Sequence, residues 1–388
     1  MCPAIRGRPG SSTPYAGASN FLIPTPRRIA LYLSGHGYGH LSQTVPMLLE
    51  LGRLLPDFEI LLRTELPADL LHCALPNLNL KILPGPVDVG VVQRSAIDED
   101  WGATRSAVES FFGPWQERID AEVARLAPLK PEIVVSNISP LAFPVARRLG
   151  IASLALASLD WGVIYRSRWG DVDPWVARIA QAHRDCDLRL SPPLSLPSVD
   201  FLDNRSIPLL VRSPHHNRKT VRDALGWGEG EKVALVLFGG TGQPPFELAG
   251  LAHIEGWSLA LPTQLAPDPL PPNVLRVSID QPFATPDLLL AADAVVTKPG
   301  YGVLSEAWQA GCPVVYLPRR GFPEYPMLHG WLQNHAPSAL LDLESFAAGR
   351  WGTALALATS CSTRYPPLDP SGGRVAAATV ARLMGGFG

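Results

Sequence analysis

Ala292 to Pro326, ADAVVTKPGYGVLSEAWQAGCPVVYLPRRGFPEYP, is the stretch whose reading decides the fold. Ala294 to Thr297 is a short apolar run that stops at Lys298, Pro299 and Gly300, as a strand ends in a turn. From Val303 the apolar residues Val303, Leu304, Ala307 and Trp308 recur at helical spacing, whereas Ser305, Glu306 and Gln309 fall on the other arc, so an amphipathic helix begins there. Gly311 stands where a helix C′ glycine belongs, and Cys312 to Leu317 reads as a second buried strand. The unit is strand, turn, helix, strand with a right-handed crossover. Its glycine pair opens bare backbone N–H groups at the positive end of a helix, which suits a phosphate. Glu306, one helical turn further on, can accept hydrogen bonds from vicinal hydroxyls such as those of a ribose. Phosphate and ribose together indicate a nucleotide.

Two more strand-to-glycine openings lie far from each other in the chain. Arg28 to Leu33 leads into Ser34-Gly35-His36-Gly37-Tyr38-Gly39-His40 and an apolar stretch, Leu41 to Leu55, in which Pro46 must lie in the first turn or kink the helix. Lys232 to Phe238 leads into Gly239-Gly240-Thr241-Gly242. Such spacing predicts two Rossmann-like sheets rather than one. In the first half, strands are expected at Phe58 to Arg63, Leu78 to Leu83, Ile133 to Ser136, Ala152 to Ser158 and Asp187 to Leu190. Helices are expected at Trp101 to Leu126, interrupted by Gly113-Pro114, at Leu141 to Leu149 and around Pro174 to Arg184. Alternation of this kind implies parallel sheets covered on both faces. Pro-rich Ser191 to Pro208 reads as the interdomain connection. The expected division is a tail over residues 1–26, one α/β domain over 27–205, a second over 206–373 and a terminal helix within 374–388.

Composition excludes several classes. The chain of 388 residues is 46% hydrophobic and 18% charged with a net charge of −2, so it has ample core for two domains and no electrostatic footprint for nucleic acid. Cys2, Cys73, Cys186, Cys312 and Cys361 are scattered without CxxC spacing, which argues against a zinc site or a disulfide framework and fits a cytoplasmic protein. No apolar run approaches the roughly 18 residues that cross a bilayer. Residues 1–26 hold Pro, Gly, Ser and Arg without an acid, the composition of a flexible tail or a transit-like presequence.

The glycine turn, the helix carrying Glu306, Gly311-Cys312-Pro313, the apolar strand, Pro318 and Glu324 resemble the donor-binding signature of GT-B glycosyltransferases. The wording of Lys298 to Gly302 and of Arg319 to Pro326 is most similar to the glycosyltransferase-like N-terminal half of plant and bacterial L-arabinokinases, and more distantly to MurG-type N-acetylglucosaminyltransferases. The resemblance implies the GT-B fold: two Rossmann-like domains facing a central cleft, the last helix, Arg374 to Met384, crossing back onto the first. Arabinokinases carry a sugar-kinase domain after this half; here none is expected and these residues hold no GxxxxGK[ST] loop, so kinase activity is not expected.

The expected reaction is transfer of a sugar, hexosyl or N-acetylhexosaminyl, from a nucleotide diphospho-sugar such as a UDP-sugar to a hydroxyl or amine of a small or lipid-linked acceptor. Inversion at the anomeric carbon is expected, with no cofactor and no metal; no Asp-x-Asp motif stands out. His40 is the candidate base, matching the histidine that ends the MurG-type loop, with His36 one loop turn earlier. Asp160 is expected either to orient the imidazole, to be a base itself, or to cap the next segment. Tyr38, Asn137 and Ser139 are candidates for acceptor contacts. For the donor, Gly239, Gly240, Thr241, Gly242, Gly300, Tyr301 and Gly302 are expected to supply N–H groups to phosphate, and Glu306 the ribose contact by resemblance. Lys298, Arg319 and Arg320 read as phosphate-facing cations or as solvated side chains. Glu324 and Tyr325 occupy the place where GT-B enzymes hold sugar hydroxyls with an acid and a Gln; the Gln is missing here. A nucleotide-sugar 2-epimerase and a non-catalytic sugar-nucleotide sensor are the alternative readings of the same cleft.

Overall fold

The computed structural model describes residues 26–95, 98–238, 244–279, 283–319 and 321–385. The first half holds strands β1 (Arg28–Leu33), β2 (Glu59–Thr64), β3 (Asn79–Pro84), β4 (Gln93–Ser95), β5 (Asp98–Glu99), β6 (Ile133–Asn137), β7 (Ala152–Leu156), β8 (Leu188–Ser191) and β9 (Asn204–Ser206). Its helices are α1 (Gly39–Leu54), α2 (Ala68–Ala74), α3 (Trp101–Phe112), α4 (Trp115–Leu126), α5 (Ala142–Leu149), α6 (Trp161–Trp169) and α7 (Pro174–Arg184). Seven strands form a parallel sheet in the order β3-β2-β1-β6-β7-β8-β9, and β4 and β5 form a small antiparallel hairpin.

The second half holds β10 (Val233–Leu237), β11 (Ser258–Pro262), β12 (Val274–Val277), β13 (Ala294–Thr297), β14 (Val314–Tyr316) and β15 (Ser338–Leu340). These form a parallel sheet in the order β12-β11-β10-β13-β14-β15. Its helices are α8 (Arg218–Leu225), α9 (Leu248–Leu251), α10 (Thr285–Ala291), α11 (Tyr301–Ala310), α12 (Tyr325–His335), α13 (Leu343–Ala347), α14 (Gly352–Ser360) and α15 (Gly372–Leu383).

Both sheets are covered on both faces because their strands are apolar on both faces. Ile29, Leu31 and Leu33 of β1 pack in one core cluster, Ala30 and Tyr32 in another, and β10 divides Ala234 and Val236 from Val233 and Leu235 in the same way. Strand order reverses between β1 and β6 in one sheet and between β10 and β13 in the other. Ligands of open α/β sheets bind at such switch points, beyond the carboxyl ends of the strands. The two switch points therefore place the site.

Ala376, Ala377, Val380 and Ala381 of α15 are buried in the core cluster that holds residues of β1 and α1. Gly373 makes this possible, since a Cβ there would stand 2.8 Å from the Pro46 carbonyl oxygen. Pro46 lies inside α1, well past its first turn, at the point where α15 packs. Helix α1 also begins at Gly39, earlier than its apolar pattern shows. Gly113-Pro114 divides the long helix into α3 and α4 as expected.

Helix α6 and strand β9 are among the elements that escape the sequence reading. Helix α6 buries Trp161, Gly162, Ile164 and Tyr165 in its first turns and exposes Ser167 and Arg168 near its end, so burial changes along the chain rather than at 3.6-residue spacing. Strand β9 is an exposed Asn-Arg-Ser edge within the stretch read as a connection, and it pairs with β8. Among the described residues no helix is long and apolar enough to cross a membrane.

Candidate active site

A cleft of about 1160 Å³ lies between the halves and is lined from both. Its size admits a nucleotide-sugar together with part of an acceptor. On the first wall the loop after β1 brings His36, Tyr38 and His40 into the cleft; Tyr38, at the N-cap of α1, is 44% exposed. The Nδ1–H of His40 donates to Asn137 Oδ1 at 2.9 Å, and Asn137 is held in turn by donating from Nδ2 to Gln43 Oε1 at 3.3 Å. Gln43 donates to Ser158 Oγ at 2.8 Å, closing the network. Because an amide oxygen only accepts, this arrangement puts the His40 proton on Nδ1 and leaves Nε2 basic. Burial lowers the His40 pKa, and the bond to Asn137 works the other way.

His36 is pushed down to about 4, first by burial and then by His40, Arg319 and Lys298, so it is neutral at physiological pH. Its ring sits over Gly90, where a Cβ would lie 1.9 Å from His36 Cγ. Gly90→Ala must displace the imidazole or the backbone beneath it. It is expected to lower stability by about 1–3 kcal/mol and to cut donor turnover, checked by thermal melting and nucleotide release.

On the second wall, helix α11 presents its N-terminus at Gly300, which is its N-cap. Lys298 precedes it; burial pushes its ammonium down to about 8, Arg319 adds to that shift and Glu99 opposes it. Arg319 donates from Nε to Glu99 Oε1 at 3.0 Å, an ion pair between the halves, and its guanidinium lies 3.6 Å from the Phe322 ring centre. Glu306 is only 3% exposed yet lines the cleft, with Oε1 accepting from Arg212 Nε at 2.6 Å. Glu324 also lines it; burial raises its carboxyl to about 7 against the opposing pull of Arg319, and Oε1 has no hydrogen-bond partner.

Several expectations are corrected. Of the three readings of Asp160 the one observed is the cap: it is buried, absent from the cleft lining, and its Oδ1 accepts from Val163 N at 2.9 Å at the start of α6. The residue bonded to His40 is Asn137 instead, which is fully buried and absent from the cleft lining. Ser139 is buried as well and donates to the Val87 carbonyl at 2.5 Å. The Tyr301 hydroxyl donates to Leu210 O at 3.0 Å and accepts from Leu210 N at 3.1 Å, pinning α11 to the segment entering the second half. Only its backbone remains for a ligand. Tyr325 is absent from the cleft lining and stacks on His329 at 5.3 Å. At Gly302 a Cβ would stand 2.8 Å from Ser42 Oγ, so this glycine also serves the close approach of α1 and α11. Gly239, Gly240, Thr241, Gly242 and Arg320 lie outside the described residues.

Arg212 and Asp88 are among the cleft residues that reading the sequence missed. Arg212 ends the apolar run after the connection, and nothing local pairs it with Glu306. Asp88 lies in the irregular stretch after β3, where no periodicity marks it. Among the described residues, Asp160, His183 and Asp200 are grouped closely enough to hold a metal ion. They lie outside the cleft, and Arg166 already bonds both oxygens of Asp200 at 2.9 Å.

No family model matches the chain. It is 30% identical over 354 residues to the L-arabinokinase of Arabidopsis thaliana, covering 90% of this chain but 33% of that protein; the chain spans about a third of that relative's length. Among solved structures, the glycosyltransferase of kitacinnamycin aligns over 93% of this chain and 95% of its own with TM-score 0.59 and 19% identity. The calicheamicin glycosyltransferase aligns over 93% and 94% with TM-score 0.58 and 15% identity. A UDP-glucosyltransferase from Polygonum tinctorium capable of glucosylating indoxyl aligns over 93% and 99% with TM-score 0.58 and 14% identity. The fold is GT-B: two parallel-sheet α/β domains that share one cleft.

Proposed function

We propose that the protein transfers a sugar from a nucleotide diphospho-sugar to an acceptor hydroxyl or amine, inverting the anomeric carbon. The observation that carries this reading is the pairing of walls. One carries an imidazole whose proton is held on Nδ1; the other carries a helix N-terminus with Lys298, Arg319 and a buried Glu324 carboxyl with one oxygen unpartnered. In this reading His40 Nε2 takes the acceptor proton as the acceptor oxygen or nitrogen bonds to the anomeric carbon, and the carbon–oxygen bond to the diphosphate breaks on the opposite face. The N–H groups at the start of α11, Lys298 and Arg319 neutralise the departing charge, so no step requires a metal. Glu306, oriented by Arg212, takes the ribose, and Glu324 takes hydroxyls of the donor sugar. The likeness to solved glycosyltransferases supports the reading through the fold.

The epimerase alternative relies on acids in the cleft, and of the two it drew on, Asp160 lies outside. Incubation with UDP-, GDP- and dTDP-sugars, following nucleotide release and calorimetric binding of the free nucleotides, tests the proposal. A nucleotide that binds and a sugar that is released or transferred are expected. Absence of binding by every nucleotide at millimolar concentration overturns it.

A further inference from the structure

We propose that Asp88 is a positioning residue for the two histidines of the cleft, acting through Trp161 by hydrogen-bond geometry rather than by its charge; this rests on the transfer reading above. Asp88 is buried in the cleft wall and accepts two bonds: from Ser34 Oγ at 3.0 Å and from Trp161 Nε1–H at 3.0 Å. The indole so held meets His36 edge-on at 5.5 Å between ring centres and His40 at 5.9 Å. Both histidines thus pack against one ring, and Asp88 sets where that ring stands.

The stretch that carries Asp88 has no ladder hydrogen bonds to hold it, yet it is fastened residue by residue. Ser139 donates to the Val87 carbonyl, the Tyr165 hydroxyl to the Val89 carbonyl, and Val92 N to Thr104 Oγ1 at 2.9 Å. Gly90 lies beneath the His36 ring, and Tyr165 stacks on Trp161 at 5.9 Å. Irregular backbone held by four different elements is a rigid frame, which is what placing a base within a fraction of an ångström requires. Burial pushes the Asp88 carboxyl up to about 6, with Glu65 adding to it and both hydrogen bonds opposing. A carboxyl that titrates so close to neutrality is poorly suited to supplying a constant charge and well suited to accepting two bonds.

The test separates geometry from charge. In Asp88→Asn the amide oxygen still accepts from Trp161, and the Ser34 hydroxyl turns to accept from the amide nitrogen. Asp88→Asn is therefore expected to keep kcat near wild type. Asp88→Ala and Trp161→Phe are expected to lose roughly 10- to 100-fold in kcat, the scale of a small misplacement, with donor KM unmoved, and to melt at a lower temperature because each leaves a buried group unpaired or a small cavity. The double variant Asp88→Ala/Trp161→Phe should be no worse than Asp88→Ala alone. A substrate-free arm uses 15N-histidine spectra of the full chain: Asp88→Ala shifts the His36 and His40 ring signals, and Asp88→Asn leaves them in place. If Asp88→Asn is as slow as Asp88→Ala, the carboxylate acts by charge and the proposal is overturned; unshifted histidine signals in Asp88→Ala overturn it too. Failure of the wild type to release any nucleotide would instead sink the transfer reading and leave the spectra to decide this one.

Discussion

His40→Ala is expected to lower sugar transfer by about 10²–10⁴-fold, the usual contribution of a positioned general base, while calorimetric affinity for the free nucleotide stays as in the wild type. The split follows from position: His40 is on the wall of the first half, bonded to Asn137, and touches none of the groups assigned to the donor. A variant that kept full activity would remove His40 from the mechanism. The pH dependence gives a second check. The base works only when neutral, and burial lowers its pKa below the ordinary value of 6.5. Activity should thus persist as pH falls through the ordinary histidine range and fail only below it. An acid limb centred at or above that range would point to another base.

Lys298→Gln is expected to weaken donor binding roughly 10- to 100-fold, the worth of a charge-assisted hydrogen bond to phosphate in a desolvated site. Here the direction of the pH effect is opposite. Burial brings the ammonium down to about 8, so the cation is present below that pH and is lost as pH rises through it. Wild-type affinity for the nucleotide diphosphate should fall above pH 8, and Lys298→Gln should flatten the fall. Titration of UDP across this range measures both; an unchanged slope in the variant would show that Lys298 does not meet the phosphates.

The parts of the fold legible in the sequence were those with a local cause. β13 ends where Pro299 and Gly300 end it, Gly311 closes α11 in the left-handed conformation at φ 67°, and α7 spans the expected Pro174–Arg184. Helix α6 and the edge strand β9 had no local signature, one being buried at its start rather than along one face and the other exposed throughout. The site divides along the same line. His40 and Glu306 could be picked out because a glycine turn beside a strand end is a local feature. Asn137, Asp88 and Arg212 owe their roles to partners distant in the chain: the bond to His40 joins residues 97 apart, and that of Arg212 to Glu306 joins residues 94 apart.

The amino-acid order alone determined two strand–turn–helix halves and the residues of their turns, because hydrophobic periodicity and glycine or proline breaks act over a few residues. Only the tertiary structure decided which polar side chains became partners. Packing two sheets across one cleft desolvates groups from remote segments together, and a buried donor or acceptor must then be satisfied by whatever the fold has brought within 3 Å or so. That requirement left Asp160 capping a helix, gave Asn137 to His40 and Arg212 to Glu306, and kept a carboxyl oxygen of Glu324 without a partner in the cleft.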